Sequence, residues 1–116
     1  RVPIAEAVID IPGPFSGSPF AGGVAAGLSA AGSSIDSRCA GWAYIRLITG
    51  ETQAYLPGKM MPWDHAPGVL LIEEAGGRSA FLPDAAPYRP LPQDPCPLLS
   101  TGNASMWNAL QDAFTA

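Results

Sequence analysis

The feature that most constrains this chain is the stretch of residues 62–77, PWDHAPGVLLIEEAGG. Asp64 is of a type found at helix N-termini, where its carboxylate accepts hydrogen bonds from the first free backbone N–H groups. Pro67 suits a first turn, because the N–H that proline lacks has no intrahelical partner there. Residues 69–72 are apolar on every helical face, which indicates packing on several sides, and Gly76-Gly77 supplies the left-handed residue at which helices end. The stretch therefore predicts a buried helix that begins at a carboxylate, which is either a helix cap only or a metal ligand.

The rest of the chain alternates between strand-like and helix-like segments. Residues 4–11 show partial alternation of apolar and polar side chains and end at a Pro-Gly-Pro run, which predicts a strand. Residues 40–48 predict a helix, in which Trp42, Ile45 and Ile48 share a face that core packing explains. Further strands are predicted at residues 52–56, 78–82 and 98–101, and further helices at residues 21–31 and 105–113. This alternation is typical of an α/β layered domain in which the strands form one sheet and the helices pack on it.

The composition limits what the chain can be on its own. Its 116 residues are enough for one domain or part of one. Hydrophobic residues make up 47% of the sequence and charged residues only 14%, which is an apolar composition for a domain with so large a surface-to-volume ratio. Either the protein is compact and rich in glycine and proline, or an apolar face is covered by another chain or by a missing half.

Charge and cysteine usage exclude several classes of partner. The net charge is −4 and no Lys/Arg cluster exists, so no nucleic-acid partner is expected. No apolar run approaches the roughly 20 residues of a membrane span, and no signal peptide opens the chain. Cys39 and Cys96 are expected to be free, buried thiols, and one histidine without a CxxC motif excludes a structural zinc site. We therefore expect a cytoplasmic protein with no membrane partner.

The central stretch contains a longer pattern, which reads Trp63-Asp64-x-Ala66-x-Gly68, then apolar residues, then Glu74-Ala75-Gly76-Gly77. This pattern closely resembles the second signature of the inositol monophosphatase family, whose members are Mg²⁺-dependent, lithium-sensitive phosphomonoesterases. The segments around it are also similar to that family over residues 38–116, whereas residues 1–37 match only in their strand–helix rhythm. The resemblance implies the C-terminal half of that fold: one domain over residues 1–116, built as a layered α/β sandwich with a mixed sheet flanked by helices.

The resemblance also implies roles for individual residues. Asp64 matches an aspartate that ligates a catalytic Mg²⁺ ion, and such ions clamp the phosphate and lower the pKa of an attacking water. Trp63 would support that segment by packing. Ala40 falls where the family places a backbone contact to the substrate alcohol, and Cys39 replaces the Ser or Thr usual beside it. Arg38 replaces the usual glycine and either faces a substrate anion or forms a surface salt bridge.

Two departures from the family limit what the resemblance implies. Pro57 replaces a glutamate that binds a ring hydroxyl in inositol-specific members, so we expect a small sugar or polyol phosphate as substrate. The family's other metal ligands, a glutamate pair and an Asp-Pro-x-Asp-Gly-Thr motif, are missing; the run Asp94-Pro95 lacks the rest of that motif and follows the signature. One carboxylate cannot hold Mg²⁺, which needs several ligands. No complete catalytic set is present, and the isolated 116 residues are predicted to be inactive.

Two hypotheses remain open. The first is an enzyme: the chain is the C-terminal portion of a Mg²⁺-dependent phosphomonoesterase, completed by an N-terminal half or another chain that covers an apolar face. The second is a stand-alone interaction or dimerisation module, in which Asp64 is only a helix cap and a homodimer is one of the assemblies left open. A cap alone does not require tryptophan beside aspartate, which favours the enzyme.

Overall fold

The structure is a computed structural model that describes residues 2–11, 21–57, 62–82, 84–88 and 98–115, without the side chains of residues 21 and 62–64. The strands are β1 (Val8–Asp10), β2 (Ser33–Ile35), β3 (Ala54–Tyr55), β4 (Arg78–Phe81), β5 (Ala86–Pro87) and β6 (Leu98–Thr101). The helices are α1 (Ala21–Ala30), α2 (Ala40–Thr49), α3 (Pro62–Glu74) and α4 (Trp107–Thr115), with short 3-10 turns at Ile4–Glu6 and Ala104–Met106.

The six strands form one mixed sheet in the order β2-β1-β3-β6-β4-β5. β1 pairs in parallel with both β2 and β3, and Asp10 lies opposite Ile35 on one side and Tyr55 on the other. The pairs β3–β6, β6–β4 and β4–β5 are antiparallel. All four predicted strands are in this sheet, which confirms the predicted α/β architecture with a mixed sheet.

Alternate residues of the strands face two different helical layers. Ile9 and Ala54 belong to the larger core cluster, which Val24 of α1 and Leu110 of α4 complete. Their neighbours face the other side: Tyr55, for example, packs in a cluster with residues of α2 and α3. Because strand side chains alternate between faces, α1 with α4 and α2 with α3 form two layers on opposite faces of the sheet.

Several element boundaries differ from the sequence prediction. Ile4–Glu6 is a 3-10 turn, so the first strand is only Val8–Asp10. The helix predicted at residues 105–113 starts with the turn Ala104–Met106 and runs on to Thr115. The predictions missed β2 and β5, both of which are short; β5 is an edge strand, where proline is tolerated.

The central helix begins earlier than predicted. α3 starts at Pro62, so Asp64 lies within its first turn instead of at the cap, and the cap prediction is wrong. A carboxylate in the first turn is still favoured by the helix dipole. Pro67 lies one turn further in than predicted, where it removes a backbone hydrogen bond.

The end of α3 agrees with the prediction. Gly76 has a φ of 90° and its N–H donates to the carbonyl of Glu73 at 3.2 Å, while the N–H of Gly77 donates to the carbonyl of Ile72 at 2.8 Å. These two bonds form a Schellman motif, in which the left-handed residue is glycine. The chain therefore turns directly from α3 into β4.

Candidate functional site

The carboxyl ends of the three parallel strands define one edge of the sheet, from which the segments with the predicted site residues leave. α2 follows β2 and α3 follows β3, so both helices begin near this edge, on the face opposite α1. Helix N-termini carry free N–H groups and partial positive charge, which favour anionic ligands. In open α/β sheets, ligands bind outside the carboxyl ends where connections leave to opposite faces. We therefore take this edge as the candidate site.

Residues 36–40 join β2 to α2 in a conformation that side chains rarely adopt. Arg38 has a φ of 60°, and its N–H donates to Oδ1 of Asp36 at 2.8 Å. A left-handed residue with a Cβ costs about 1–2 kcal/mol, so surrounding contacts must hold it there. Arg38 and Cys39 are exposed, and Ala40 is the half-buried first residue of α2. The three predicted substrate residues thus share one short segment at the site edge, while their roles stay predictions.

A buried carboxylate, which the sequence analysis did not single out, lies beside that segment. Asp10 ends β1 and is 1% exposed. Its Oδ1 accepts a hydrogen bond from the N–H of Ser37 at 3.0 Å, and its Oδ2 accepts one from the Ser37 hydroxyl. Nη1 of Arg46 donates to the same hydroxyl at 2.7 Å. A charged residue within a mostly apolar strand was the available signal, but its partner is 27 residues away in sequence.

A second buried polar group lies where α2 and α3 meet. The hydroxyl of Tyr44 is 3.0 Å from Nδ1 of His65, and the Tyr44 ring packs edge-on against Tyr55 with centroids 5.2 Å apart. Burial, with Tyr55 adding to it, raises the pKa of the Tyr44 hydroxyl well above its usual value. Tyr44 therefore stays protonated at physiological pH. His65 is 3% exposed and, through its contact with Tyr44, fixes α3 against α2.

The glycine of the central pattern has a packing reason. A Cβ at Gly68 would stand 2.5 Å from Cγ of Tyr44 and closer still to other ring atoms. Such a distance is far inside van der Waals contact, so α3 can lie this close to α2 only with glycine at this position. Gly68 and His65 together set the position of α3, and with it the backbone of Asp64.

The side chains of Asp64 and Trp63 lie outside the described residues, so their predicted roles are not tested by the structure. Among the side chains that the structure does describe, no group of three or more His, Cys, Asp or Glu residues is placed to hold a metal ion. The described donors therefore do not fit a complete Mg²⁺ site, which needs several oxygen ligands. Cys39 is a free thiol as predicted, but it is exposed and not buried, so that part of the prediction is wrong. Cys96 lies outside the described residues.

Residues 20–87 match a protein-family model described as the inositol monophosphatase family. The chain belongs to the inositol monophosphatase family. The match spans the connection at residues 36–40 and the whole of α3, which hold all the predicted site residues. A comparison with curated protein sequences finds no significant match.

Solved structures of inositol monophosphatases share the fold at low sequence identity. The enzyme from Anabaena (Nostoc) sp. PCC 7120 is 18% identical, with a TM-score of 0.78 over 97% of this chain and 44% of that one. Inositol monophosphatase II from Staphylococcus aureus is 18% identical, with a TM-score of 0.80 over 99% and 42%. The extragenic suppressor protein SuhB from Bartonella henselae is 16% identical, with a TM-score of 0.78 over 100% and 45%. The chain therefore spans less than half the length of these structures.

The left-handed backbone of Arg38 can be compared with what the family resemblance implies at this position. The sequence resemblance places a glycine of the family at Arg38, and the backbone is left-handed at this position. Glycine adopts that conformation without strain. The left-handed backbone at Arg38 is therefore compatible with the glycine that the resemblance implies there.

The exposed apolar side chains lie on the α2–α3 layer, and two predictions about them are wrong. Residues 69–72 of α3 were expected to be packed on several sides, but Leu70 and Leu71 are exposed. The second concerns α2. In the described part of the chain, the large exposed hydrophobic residues are Trp42, Ile45, Ile48, Leu70 and Leu71. The first three were assigned to core packing, but Ala43, Tyr44 and Leu47 form the buried face of α2 instead. The helix is apolar on two faces, of which the sheet covers one. We call the five exposed residues the outer apolar face.

No helix in the described segments is long and apolar enough to cross a membrane.

Proposed function

We propose that this chain is the C-terminal part of a Mg²⁺-dependent phosphomonoesterase that acts on a small sugar or polyol phosphate. In this proposal Asp64 supplies one metal ligand and Trp63 supports it by packing. Arg38, Cys39 and Ala40 form part of the substrate pocket. The observation that carries the proposal is the family match, which includes both α3 and the connection at residues 36–40.

The geometry of the site edge supports the proposal. The connection with Arg38 and the first turn of α3 with Asp64 both leave the carboxyl ends of parallel strands, where two helix N-termini favour an anion. An exposed arginine at this edge suits a phosphate, because its guanidinium binds such oxygens in a bidentate manner.

The metal requires more chain than the structure describes. The described side chains do not form a Mg²⁺ site on their own, and the sequence lacks the other ligand motifs that the family resemblance implies, so we propose that the further carboxylate ligands come from a segment outside these 116 residues. Solved relatives have more than twice this length, which leaves room for such a segment. We infer that the isolated chain does not hydrolyse phosphomonoesters.

The substrate proposal depends on Pro57. This residue is buried just after β3 and has no charged group for a ring hydroxyl, so we propose a sugar or polyol phosphate other than an inositol phosphate. Solved relatives are described with inositol monophosphate, with 2′AMP, and with NADP and Ca²⁺. Those proteins therefore accept more than one phosphorylated ligand on this fold.

The outer apolar face supports a partner for the α2–α3 layer. Trp42 is 58% exposed and Leu70 is 62% exposed, and large apolar side chains exposed on one helical layer favour an interaction surface. We propose that the N-terminal half of the fold covers this face, in a cytoplasmic protein. The same face supports the second candidate function, a non-catalytic module that pairs with another copy of the chain.

Phosphate release separates the two functions. The natural full-length protein that contains this sequence is incubated with Mg²⁺ and a panel of sugar, polyol and inositol phosphates. We expect hydrolysis of at least one sugar or polyol phosphate and none by the isolated 116 residues. A full-length protein without activity on the whole panel would favour the interaction module.

A further inference from the structure

The described site edge contains one side-chain network that the proposed function does not use. It runs from Arg46 on α2 through the hydroxyl of Ser37 to the carboxylate of Asp10 at the end of β1. The N–H of Ser37 also donates to Asp10, so both carboxylate oxygens accept a bond from the same residue. One residue of the connection is thereby attached at two points to the central strand of the parallel part of the sheet.

Burial of the Asp10 carboxylate is unfavourable unless hydrogen bonds replace those it would make to water. Asp10 is 1% exposed, and an ionised carboxylate is stable in such surroundings only when its oxygens are hydrogen-bonded. Ser37 provides those bonds, and Arg46 polarises its hydroxyl toward Asp10 by donating to the same oxygen. Removal of the hydroxyl would take away the bond to Oδ2 of Asp10, which is buried, whereas Arg46 would keep its ion pair with Glu51.

The network acts on a segment that is under strain. Ser37 directly precedes Arg38, whose left-handed backbone is unfavourable for a residue with a Cβ. A strained conformation persists only where its surroundings determine it. The two bonds to Asp10 fix Ser37, which directly precedes Arg38. The bond from the Arg38 N–H to Asp36 fixes the amide of Arg38 itself.

We propose that Asp10 is a positioning residue which, through Ser37, holds the connection at residues 36–40 in the conformation that presents Arg38, Cys39 and Ala40 to substrate. Arg46 sets the direction of the Ser37 hydroxyl. Asp10 itself has both oxygens occupied and does not touch substrate. The expected effect on KM rests on the proposed function. The attachment of residues 36–40 to β1 by Asp10 does not.

The test compares Ser37→Ala with Ser37→Thr in the natural full-length protein. Ser37→Ala removes the hydroxyl and leaves the backbone bond to Asp10, whereas Ser37→Thr keeps the hydroxyl. Ser34→Ala is the matched control, because Ser34 is an exposed serine on the adjoining strand. Two readouts are taken: the kcat and KM for a phosphomonoester that the wild type hydrolyses, and amide hydrogen exchange at residues 37–40 and in β1.

We expect Ser37→Ala to raise KM about tenfold, the loss typical of one hydrogen bond to a charged group, with kcat nearly unchanged. Exchange at residues 37–40 should rise by a similar factor while exchange in β1 stays constant. Ser37→Thr should restore both readouts, and Ser34→Ala should change neither. Unchanged KM and exchange in Ser37→Ala, or a fall in kcat alone, would overturn the proposal.

Amide hydrogen exchange distinguishes a failure of the proposed function from a failure of the positioning role of Asp10. If the full-length protein hydrolyses no phosphomonoester, the proposed function fails, yet faster exchange confined to residues 37–40 still supports the attachment by Asp10. If Ser37→Ala does not fold, Arg46→Met replaces it, because that change removes the donor to the hydroxyl, together with the ion pair between Arg46 and Glu51 at 3.7 Å. Glu51→Gln, which removes that ion pair alone, is then the control. Exchange in Arg46→Met equal to that of the wild type would then overturn the inference.

Discussion

Single residues at the site edge show what a sequence pattern can and cannot predict. The left-handed turn at Gly76 was predicted because glycine there follows an apolar helix. The left-handed turn at Arg38 was not predicted, because arginine gives no signal for a positive φ. The same holds for Asp10, whose partner Ser37 is brought to it only by the pairing of β1 with β2.

The strain at Arg38 predicts an unusual order of stabilities. Arg38→Gly should keep or raise the free energy of unfolding, because relief of about 1–2 kcal/mol of strain offsets the greater freedom of glycine in the unfolded chain. Arg38→Val should lower it by about 1 kcal/mol or more, since β-branched residues adopt positive φ least readily. Arg38→Lys is the control and should be neutral. Urea denaturation measures all three, and a glycine variant less stable than the valine variant would contradict the reasoning.

The raised pKa of Tyr44 predicts a dependence of stability on alkaline pH. Below the ordinary tyrosine pKa of 10.0 the hydroxyl is protonated in both the folded and the unfolded protein, so its contribution to the free energy of unfolding is fully present. As the pH rises above that value, the unfolded chain releases the proton while the folded protein keeps it, and stability falls by up to about 1.4 kcal/mol per pH unit. Tyr44→Phe should be less stable at pH 8, because it lacks the bond to His65, but should lose less stability between pH 10 and 11. Identical slopes for both proteins in urea denaturation would contradict this prediction.

At the scale of elements, long apolar segments were predicted well and short paired ones were not. β6 was predicted at its observed bounds and α2 within one residue, since their patterns are strong. β2 has only three residues, two of them serine, and becomes a strand through its pairing with β1. The pattern of α2 showed two apolar faces but could not show which of them faces the sheet.

The close approach of α2 and α3 predicts the effect of a methyl group. Gly68→Ala should lower the free energy of unfolding by about 1–3 kcal/mol, because the new Cβ would collide with the ring of Tyr44 and overpack the contact. Gly22→Ala on α1 is the matched control: no atom of the described residues lies within 4 Å of the Cβ position, so the higher helix propensity of alanine should raise stability by up to about 1 kcal/mol. Thermal unfolding of both variants is the measurement. A stabilised Gly68→Ala would show that α3 does not lie on Tyr44 as described.

At the scale of the whole molecule, the described residues form a covered sheet with an exposed apolar layer, and the site edge stays a candidate. The sheet is closed on one face by α1 and α4 and on the other by α2 and α3, whose outer apolar face is exposed. The sequence pattern sufficed for the family and the architecture, since the signature is long and its helix is distinctive. The side chain of Asp64 is outside the described residues, so its role as a metal ligand stays a prediction.

The measurement that tests the account most directly is phosphate release by Asp64→Asn in the natural full-length protein. Asparagine keeps the size and hydrogen-bonding capacity of aspartate at a helix start, so the variant should fold with a loss of at most about 1 kcal/mol from the helix dipole. Its neutral amide is a poor ligand for Mg²⁺, so Mg²⁺-dependent turnover should fall about 100-fold or more. Full turnover and unchanged Mg²⁺ affinity in this variant would show that Asp64 only stabilises its helix, and would contradict the proposed function of the site.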